Sequence, residues 1–519
     1  MVIDITQNKE SVDISYVGDN KQIKIETITF DDEKVFSPNG ENTTRQFHTF
    51  VECSESDPNK HEYLRSFYDR PIKLEQSKKF TGHNLNYFLG YELPNFYPEI
   101  YEKTSKLIIP NLFFSDIETD ITDKYGYSNQ EKVENPVRSI SFTDEKLNSI
   151  LFIVKNPKHP VFSALDKEYI EGIIKESLKH HANKYDYNFE IRVFDTEVEM
   201  LNYTIDCYRK YFHVLMGWNW YDYDNRYLSN RCDKLNLKWK NASPIGKLTS
   251  KRVEINQANH INIKVPTHRM AIDYMRVFKE SLVYNNLGKY NLNSIADMIL
   301  GLKKVTYDGN LRTLYDNDYL RFVAYALVDT IIGMLIHKAT NLIGTEFFQS
   351  YYTGIPFLKL SQNSISEALV YQELMNSNQF LLETEYSTLP ERPYQGGYVK
   401  DPTTKIVESV SGYDYGSLYP NSMCTVGISP EAKVDVLKVN SDGWPYTPED
   451  IAKWNEYKKL GYCLTPAGRV YRVDKDYLFT RIEKKLLSER GIFKGHMNNI
   501  YMDLQTRIEN EIKKRGLKV

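Results

Sequence analysis

The stretch from Lys106 to Asp120, KLIIPNLFFSDIETD, decides how the rest of the chain is read. A continuous apolar run that ends in acids reads as a buried strand with its charge gathered at the far end. Residues two apart on a strand project to the same side, so Asp116 and Glu118 share a face. Carboxylates so placed suit hard cations such as Mg²⁺ or Mn²⁺, and two such ions about 3.5–4 Å apart serve phosphodiester hydrolysis. Taken alone, D-x-E describes a solvated strand end more readily than a metal site, and Asp120 shares the parity of the other two acids.

Working outward, Thr196 and Glu199 have the spacing of a helix capping box. Leu201, Ile205, Tyr208 and Phe212 then repeat at helical spacing before His213–Met216 turns strand-like and ends at Gly217. GWNWYDYDNRYLSNR, from Gly217 to Arg231, sets an aromatic strand end beside Asp222 and Asp224, either of which supplies a third carboxylate. The arms of KRVEINQANHINIKVPTHRM, Lys251 to Met270, flank an Asn-rich turn and read as a hairpin. Leu320, Val323, Leu327 and Ile331 mark a helix face, and on the opposite face Tyr325 and Asp329 stand four apart. There a tyrosine hydroxyl can orient a water beside a metal-holding aspartate. Singly, each of these is more often an ordinary surface acid or a half-buried tyrosine. Strand and helix alternation from about 110 to 340 makes the middle of the chain an α/β domain.

At 519 residues the chain has room for three or four domains of ~100–200 residues each. Its 41% hydrophobic and 26% charged residues exclude disorder and collagen-like structure. The 66 Lys and Arg against 69 Asp and Glu leave a net charge of −3, so any anionic partner must be held by local patches. Five scattered cysteines form no C-x-x-C pair and support neither a disulfide framework nor a zinc site. The 40 tyrosines fit base-stacking platforms, though coding bias explains them more simply. The start, MVIDITQNKESVD, lacks the bases and apolar run of a signal peptide, and no uncharged run reaches membrane-span length. A cytosolic protein with no membrane partner is the expectation.

The first 81 residues alternate β-prone runs with polar turns and read as a small β-rich domain. Near residue 385 a new domain begins, in which KIVESVSGYDYGSLYPNSM reads as a strand, a tight turn and a helix start. The tail from Tyr471 carries 12 Lys and Arg against 7 Asp and Glu, which suits a phosphate-facing helix pair or simply a solvated helix.

SDIETD, GWNWYDYDNRYLSNR and YALVD together resemble the three exonuclease motifs of family B DNA polymerases, and GYDYGSLYPNSM resembles their polymerase motif A. KKVTYDG before the third motif and GISPE after motif A are similar to the replicative polymerases of T-even-type bacteriophages. The resemblance implies an α/β multidomain protein: an N-terminal domain (1–108 with 341–384), an RNase H-like 3′→5′ exonuclease domain (109–340), the first part of an α+β palm (385–470) and the first fingers helix (471–519). It implies that Asp116, Glu118, Asp224 and Asp329 bind metal, that Tyr325 positions the attacking water and that Lys304 assists near the scissile phosphate. The register of the Tyr-Leu-x-x-Arg tail selects Asp224 over Asp222. The hairpin around Asn256–Asn262 falls where such relatives help separate primer from template. Motif A implies that Asp414 and the carbonyl of Tyr415 bind polymerase metals, that Ser417, Leu418 and Tyr419 contact the incoming dNTP, with Tyr419 as steric gate, and that Arg490 and Lys494 hold the triphosphate. Tyr394, Gly396 and Gly397 match a linker that touches template DNA.

Asn421 replaces the serine usual after L-Y-P, and Gly416 sits beside the triphosphate; neither removes a ligand. The larger departure is that no D-T-D turn and no Lys-x3-Asn-x2-Tyr-Gly helix occur between Ala432 and Val519. The expectation is therefore the N-terminal part of a replicative DNA polymerase with Mg²⁺ or Mn²⁺ as cofactor. It would have a complete proofreading exonuclease and half a polymerase site, and would act on primer–template and single-stranded DNA in the cytoplasm of a phage-infected host. Either the chain is a piece of a longer one, or a separate C-terminal half completes it, and Met1 and the basic Lys518–Val519 terminus favour the second. A sliding clamp is a further expected partner. A stand-alone 3′→5′ exonuclease and a non-catalytic nucleic-acid-binding subunit are the alternatives.

Overall fold

The computed structural model describes residues 1–7, 11–29, 34–38, 47–54, 98–121, 126–157, 159, 161–256, 259–281, 283–376, 379–381, 401, 409 and 411–515. They form two compact units, Met1–Phe30 with Glu92–Ile365, and Asp31–Tyr91 with Ser366–Val519.

The first unit opens with an antiparallel sheet of β1 (Val2–Gln7), β2 (Ser11–Val17) and β3 (Ile23–Thr29). Its centre is a six-stranded mixed sheet built from β4 (Phe113–Thr119), β5 (Val137–Asp144), β6 (Asn148–Val154), β7 (Asn188–Phe194), β8 (Val214–Gly217) and β11 (Met270–Asp273), in the order β11-β8-β4-β5-β6-β7. β8 runs parallel to both β4 and β11, β5 is antiparallel to β4 and β6, and β7 is parallel to β6. Between β8 and β11 the expected hairpin forms from β9 (Leu248–Asn256) and β10 (Asn259–Pro266).

Alternation along each strand divides two hydrophobic layers. Phe114, Val214, Met216, Met270 and Ile272 face helices α1 (Ala164–Leu178) and α6 (Tyr319–Thr340). Ile117, Leu215 and Ala271 face α2 (Glu197–Lys210) and α3 (Asp224–Lys234). β4 is shorter than the apolar run that announced it, and all four residues of β8 are buried, as expected for a strand covered on both faces. Thr196 caps α2 by accepting from the Glu199 N–H. Helices α4 (Tyr274–Glu280) and α5 (Leu292–Leu300) complete the α6 side, their N-termini capped by Asp273 and Asn291.

α6 is buried almost all round. Among the described residues it is the one helix long and apolar enough to cross a membrane, and most of it is enclosed by the protein, as for a core helix. The expected single apolar face is therefore wider than the four residues that marked it, because the sheet covers one side of α6 and helices cover the others.

In the second unit, strands Lys34–Pro38, Phe47–Ser54 and Gln379–Leu381 form one antiparallel sheet, and Lys433–Val436, Arg469–Tyr471 and Cys463–Leu464 another. The strand expected at the start of KIVESVSGYDYGSLYPNSM falls almost wholly outside the described residues, while the turn and helix start that follow it are present at Gly416–Ser417 and Leu418–Val426. One expectation is corrected here. The basic tail is one helix, Leu478–Lys514, rather than a pair. Its first N–H groups are met by the G-I-S-P-E segment, with Leu478 N–H donating to Glu431 Oε1 (2.5 Å) and Phe479 N–H to Ser429 Oγ (3.3 Å).

Candidate active site

β4 presents Asp116 and Glu118 on the face that carries Phe114, and α6 lies across that face with Asp329 opposite them. Carboxylate oxygens of Asp116, Glu118 and Asp329 lie within 4.8 Å of one another. Among the described residues this is the one group of three or more acids, cysteines or histidines so close. Asp224 begins α3, directly after the turn that follows β8, where a helix N-terminus favours an acid. Its Oδ1 accepts the Ile117 N–H at 3.3 Å, which ties it to the strand between the first two acids.

Gly217 makes the turn possible. A Cβ there would collide with the Trp220 ring and stand 3.0 Å from the Ser115 carbonyl. Two further contacts hold it: Asp273 Oδ2 accepts the Tyr221 N–H (3.0 Å), and the Tyr221 hydroxyl donates to the Ala271 carbonyl (2.5 Å).

The electrostatics are those of acids crowded away from water. Burial, then Asp329, pushes Asp116 up to about 7. Burial and the neighbouring acids raise Glu118 well above its ordinary value, and burial and Asp116 do the same to Asp224. Among the described residues one cation answers them. Lys304 Nζ lies 2.6 Å from Asp329 Oδ2 and 3.5 Å from the Tyr325 hydroxyl. Burial works against its charge, but the pull of Asp329 and Asp116 holds its pKa above the usual lysine value. Burial and Asp329 push Tyr325 so far up that it remains a phenol. Asp329 Oδ1 is buried without a hydrogen-bond partner. Three convergent carboxylates with one orphaned oxygen have the donor chemistry of a site for a hard divalent cation.

The neighbouring acids take different partners. Asp120 leaves the cluster for Arg138, whose Nε and Nη2 lie 3.1 and 2.5 Å from its Oδ2. Asp222 pairs with Arg226 at 3.5 Å while Asp224 turns inward. The Tyr-Leu-x-x-Arg tail is structural: Tyr227 donates to the Asn135 carbonyl, and Arg231 forms a two-pronged pair with Glu197 (2.9 and 2.7 Å).

Two cavities flank the acids. One of about 440 Å³ is lined by Glu118, Thr119, Tyr127, Tyr223, Tyr307 and Tyr325; the other, about 330 Å³, by Asp116, Trp218, Asn219, Asn291, Asn293 and Lys304. Of these lining residues, Tyr127, Tyr223 and Tyr307 were not singled out in the sequence. Their signal was only the general abundance of tyrosine, and Tyr307 and Tyr325 now meet edge to face at 5.4 Å.

In the second unit Asp414, Tyr415 and Tyr419 are exposed, with Tyr415 at 79% and Tyr419 at 81%. Ser417 adopts a left-handed backbone (φ 50°) at the head of helix Leu418–Val426, and Arg490 Nη1 donates to its hydroxyl at 3.3 Å. The Asn421 amide donates to the Gly416 carbonyl (2.7 Å), so the residue that departs from the motif ties down its turn. Lys494 is exposed. Tyr394, Gly396 and Gly397 lie outside the described residues.

Residues 81–295 match the family described as DNA polymerase family B, exonuclease domain. The chain thus carries the exonuclease domain of the family B DNA polymerases. Among known proteins it is similar to the DNA-directed DNA polymerases of Escherichia phage RB69 (25% identical over 313 residues) and Enterobacteria phage T4 (25% over 308), each match covering 59% of this chain and 33% of the relative. It is also similar to DNA polymerase 1 of Pyrococcus abyssi, 24% identical over 257 residues, 46% of this chain and 31% of the relative. The chain spans about a third of the length of these curated relatives. Asp116, Glu118 and Asp224 fall inside the family match, whereas Lys304, Tyr325 and Asp329 lie beyond its end and join the site by geometry.

Proposed function

We propose that the first unit contains a 3′→5′ exonuclease that degrades single-stranded DNA and the frayed primer end of a primer–template. The observation that carries this reading is the cluster of Asp116, Glu118 and Asp329, with Asp224 tied to the same strand and an unpartnered oxygen on Asp329. Asp116, Glu118, Asp224 and Asp329 would hold a pair of Mg²⁺ or Mn²⁺ ions, which supply Lewis-acid activation of water and stabilise the charge on the leaving oxygen. The protein's own part is positioning. Tyr325, kept as a phenol, orients the attacking water by hydrogen bonding, and Lys304 offers a charge to the scissile phosphate from 2.6 Å behind Asp329. The tyrosine-lined cavity beside Glu118 fits a terminal nucleotide by stacking. The mixed sheet, with acids on its centre and an acid-bearing helix across it, supports the RNase H-like description.

The same reading extends to the rest of the chain as the N-terminal part of a replicative DNA polymerase, with the four domains divided as expected from the sequence. Asp414, the Tyr415 carbonyl, Ser417, Leu418, Tyr419, Arg490 and Lys494 would form half of a dNTP site in palm and fingers, completed by a C-terminal half. The Arg490–Ser417 contact supports it. So does an exposed row along the last helix, Phe493, Met497, Ile500, Leu504 and Ile508, an apolar face of the kind a partner covers.

The test is a 5′-labelled DNA strand incubated with the chain and Mg²⁺. Shortening from the 3′ end that disappears in Asp224→Ala is expected, and degradation unchanged by that substitution would refute the assignment.

A further inference from the structure

The two elements that carry the acids touch again one step away from them. On β4, Phe114 precedes Asp116 by two residues and shares its face; on α6, Gly333 follows Asp329 by four and shares its stripe. A Cβ on Gly333 would stand 2.5 Å from both Cδ1 and Cζ of the Phe114 ring, so that ring lies directly against the helix backbone. Carbon atoms settle at about 3.5–4 Å, so any larger residue must push helix and strand apart by roughly 1 Å.

The ring cannot swing aside. Phe114 is 1% exposed and meets Tyr274 edge-on at 6.0 Å. Tyr274 is in turn anchored to α6, through His337 Nδ1 (3.0 Å) and the Thr340 hydroxyl (3.2 Å), one and two turns beyond Gly333. Phe114 is thus clamped between the backbone of α6 and a ring fixed by the same helix.

We infer that Gly333 and Phe114 are positioning residues that set the separation of Asp329 from Asp116 and Glu118, and so the size of the cation site. The inference rests on the exonuclease reading of that cluster. Divalent ions such as Mg²⁺ require ligands at about 2.0–2.1 Å in near-octahedral array, so a displacement of about 1 Å between the two sources of carboxylate removes one of them from reach. A glycine in mid-helix ordinarily weakens the helix relative to alanine, and here the close approach supplies the reason for tolerating it.

The experiment measures Mn²⁺ binding to the purified full chain by electron paramagnetic resonance, with unfolding followed in parallel. Gly333→Ala is expected to remain folded at 20 °C and to bind Mn²⁺ at least tenfold more weakly. Gly333→Ala combined with Phe114→Val, which removes all the overlapped ring atoms, is expected to return within about twofold of the parent. If Gly333→Ala alone fails to fold, the double variant must fold and bind. A folded Gly333→Ala with parental affinity, or a double variant no better than the single, overturns the inference. A purely structural role would move stability and leave the affinity of the folded protein unchanged. A parent chain that binds no Mn²⁺ sinks the exonuclease reading itself, an outcome distinct from parental affinity in the variant.

Discussion

Replacing His213 by leucine tests whether the small N-terminal sheet is pinned to the central sheet by a neutral imidazole. His213 sits between α2 and β8, 6% exposed. The Ile23 N–H of β3 donates to its Nδ1 at 2.9 Å, so that nitrogen carries no proton; Nε2 therefore does, and donates to the Lys210 carbonyl at 3.0 Å. Burial, then the charge on Arg269, lowers the pKa from 6.5 to about 4. The unfolded chain takes up this proton near 6.5 and the folded chain only near 4. Throughout that interval the unfolded state binds more protons, so stability falls as pH falls. The loss is about 2 kcal/mol by pH 5 and about 3 kcal/mol once pH drops below 4. His213→Leu leaves the Ile23 N–H without an acceptor and should cost about 1–3 kcal/mol at pH 7.5. It has no proton to gain, so its deficit should close by about 2 kcal/mol at pH 5. Urea unfolding of both proteins at the two pH values measures this directly. A deficit of the same size at both would refute the neutral-imidazole argument.

Glu197→Gln should destabilise by roughly 3 kcal/mol, because the buried Arg231 would lose its carboxylate; a loss below about 1 kcal/mol in chemical denaturation would show that the pair is not needed. Gly217→Ala should cost about 2–3 kcal/mol, since its methyl meets the Trp220 ring and the Ser115 carbonyl, and a neutral result in the same assay contradicts the close packing. Saturating Mn²⁺ should raise Tm, by an amount corresponding to about 2.7 kcal/mol at a hundred times Kd, and Asp116→Ala should abolish the rise. An equal rise in both proteins would place the ion elsewhere.

How far the fold was legible follows from how local each signal is. The apolar run ending in acids located β4, and the Tyr-x3-Asp spacing located the charged stripe of α6, because period two and period 3.6 are written along the chain. The hairpin of β9 and β10 was legible for the same reason. Gly333 was not. Nothing near it in sequence indicates that Phe114, more than two hundred residues earlier, lies against its backbone. The collected tyrosines around the cavity escaped notice likewise, since Tyr127, Tyr223 and Tyr307 come from separate loops and helix entries.

What separates the acids of the site from their neighbours is what each one lacks. Asp120 has Arg138, Asp222 has Arg226, and Asp273, though buried, has the N–H groups of Tyr221 and Arg276. Each is neutralised or capped where it stands, and an acid so satisfied gains little from a metal ion. Asp116, Glu118 and Asp329 share Lys304, and burial raises the pKa of Asp116, Glu118 and Asp224. Left to themselves, such groups would spread apart or draw in water. The frame must therefore resist from outside the cluster: the turn at Gly217 held by Asp273, the Glu197–Arg231 pair behind α3, and the backbone of α6 pressed on Phe114. None of these is an acid of the cluster. A search for the determinants of such a site that stops at its carboxylates misses the residues that keep repelling charges a few ångströms apart.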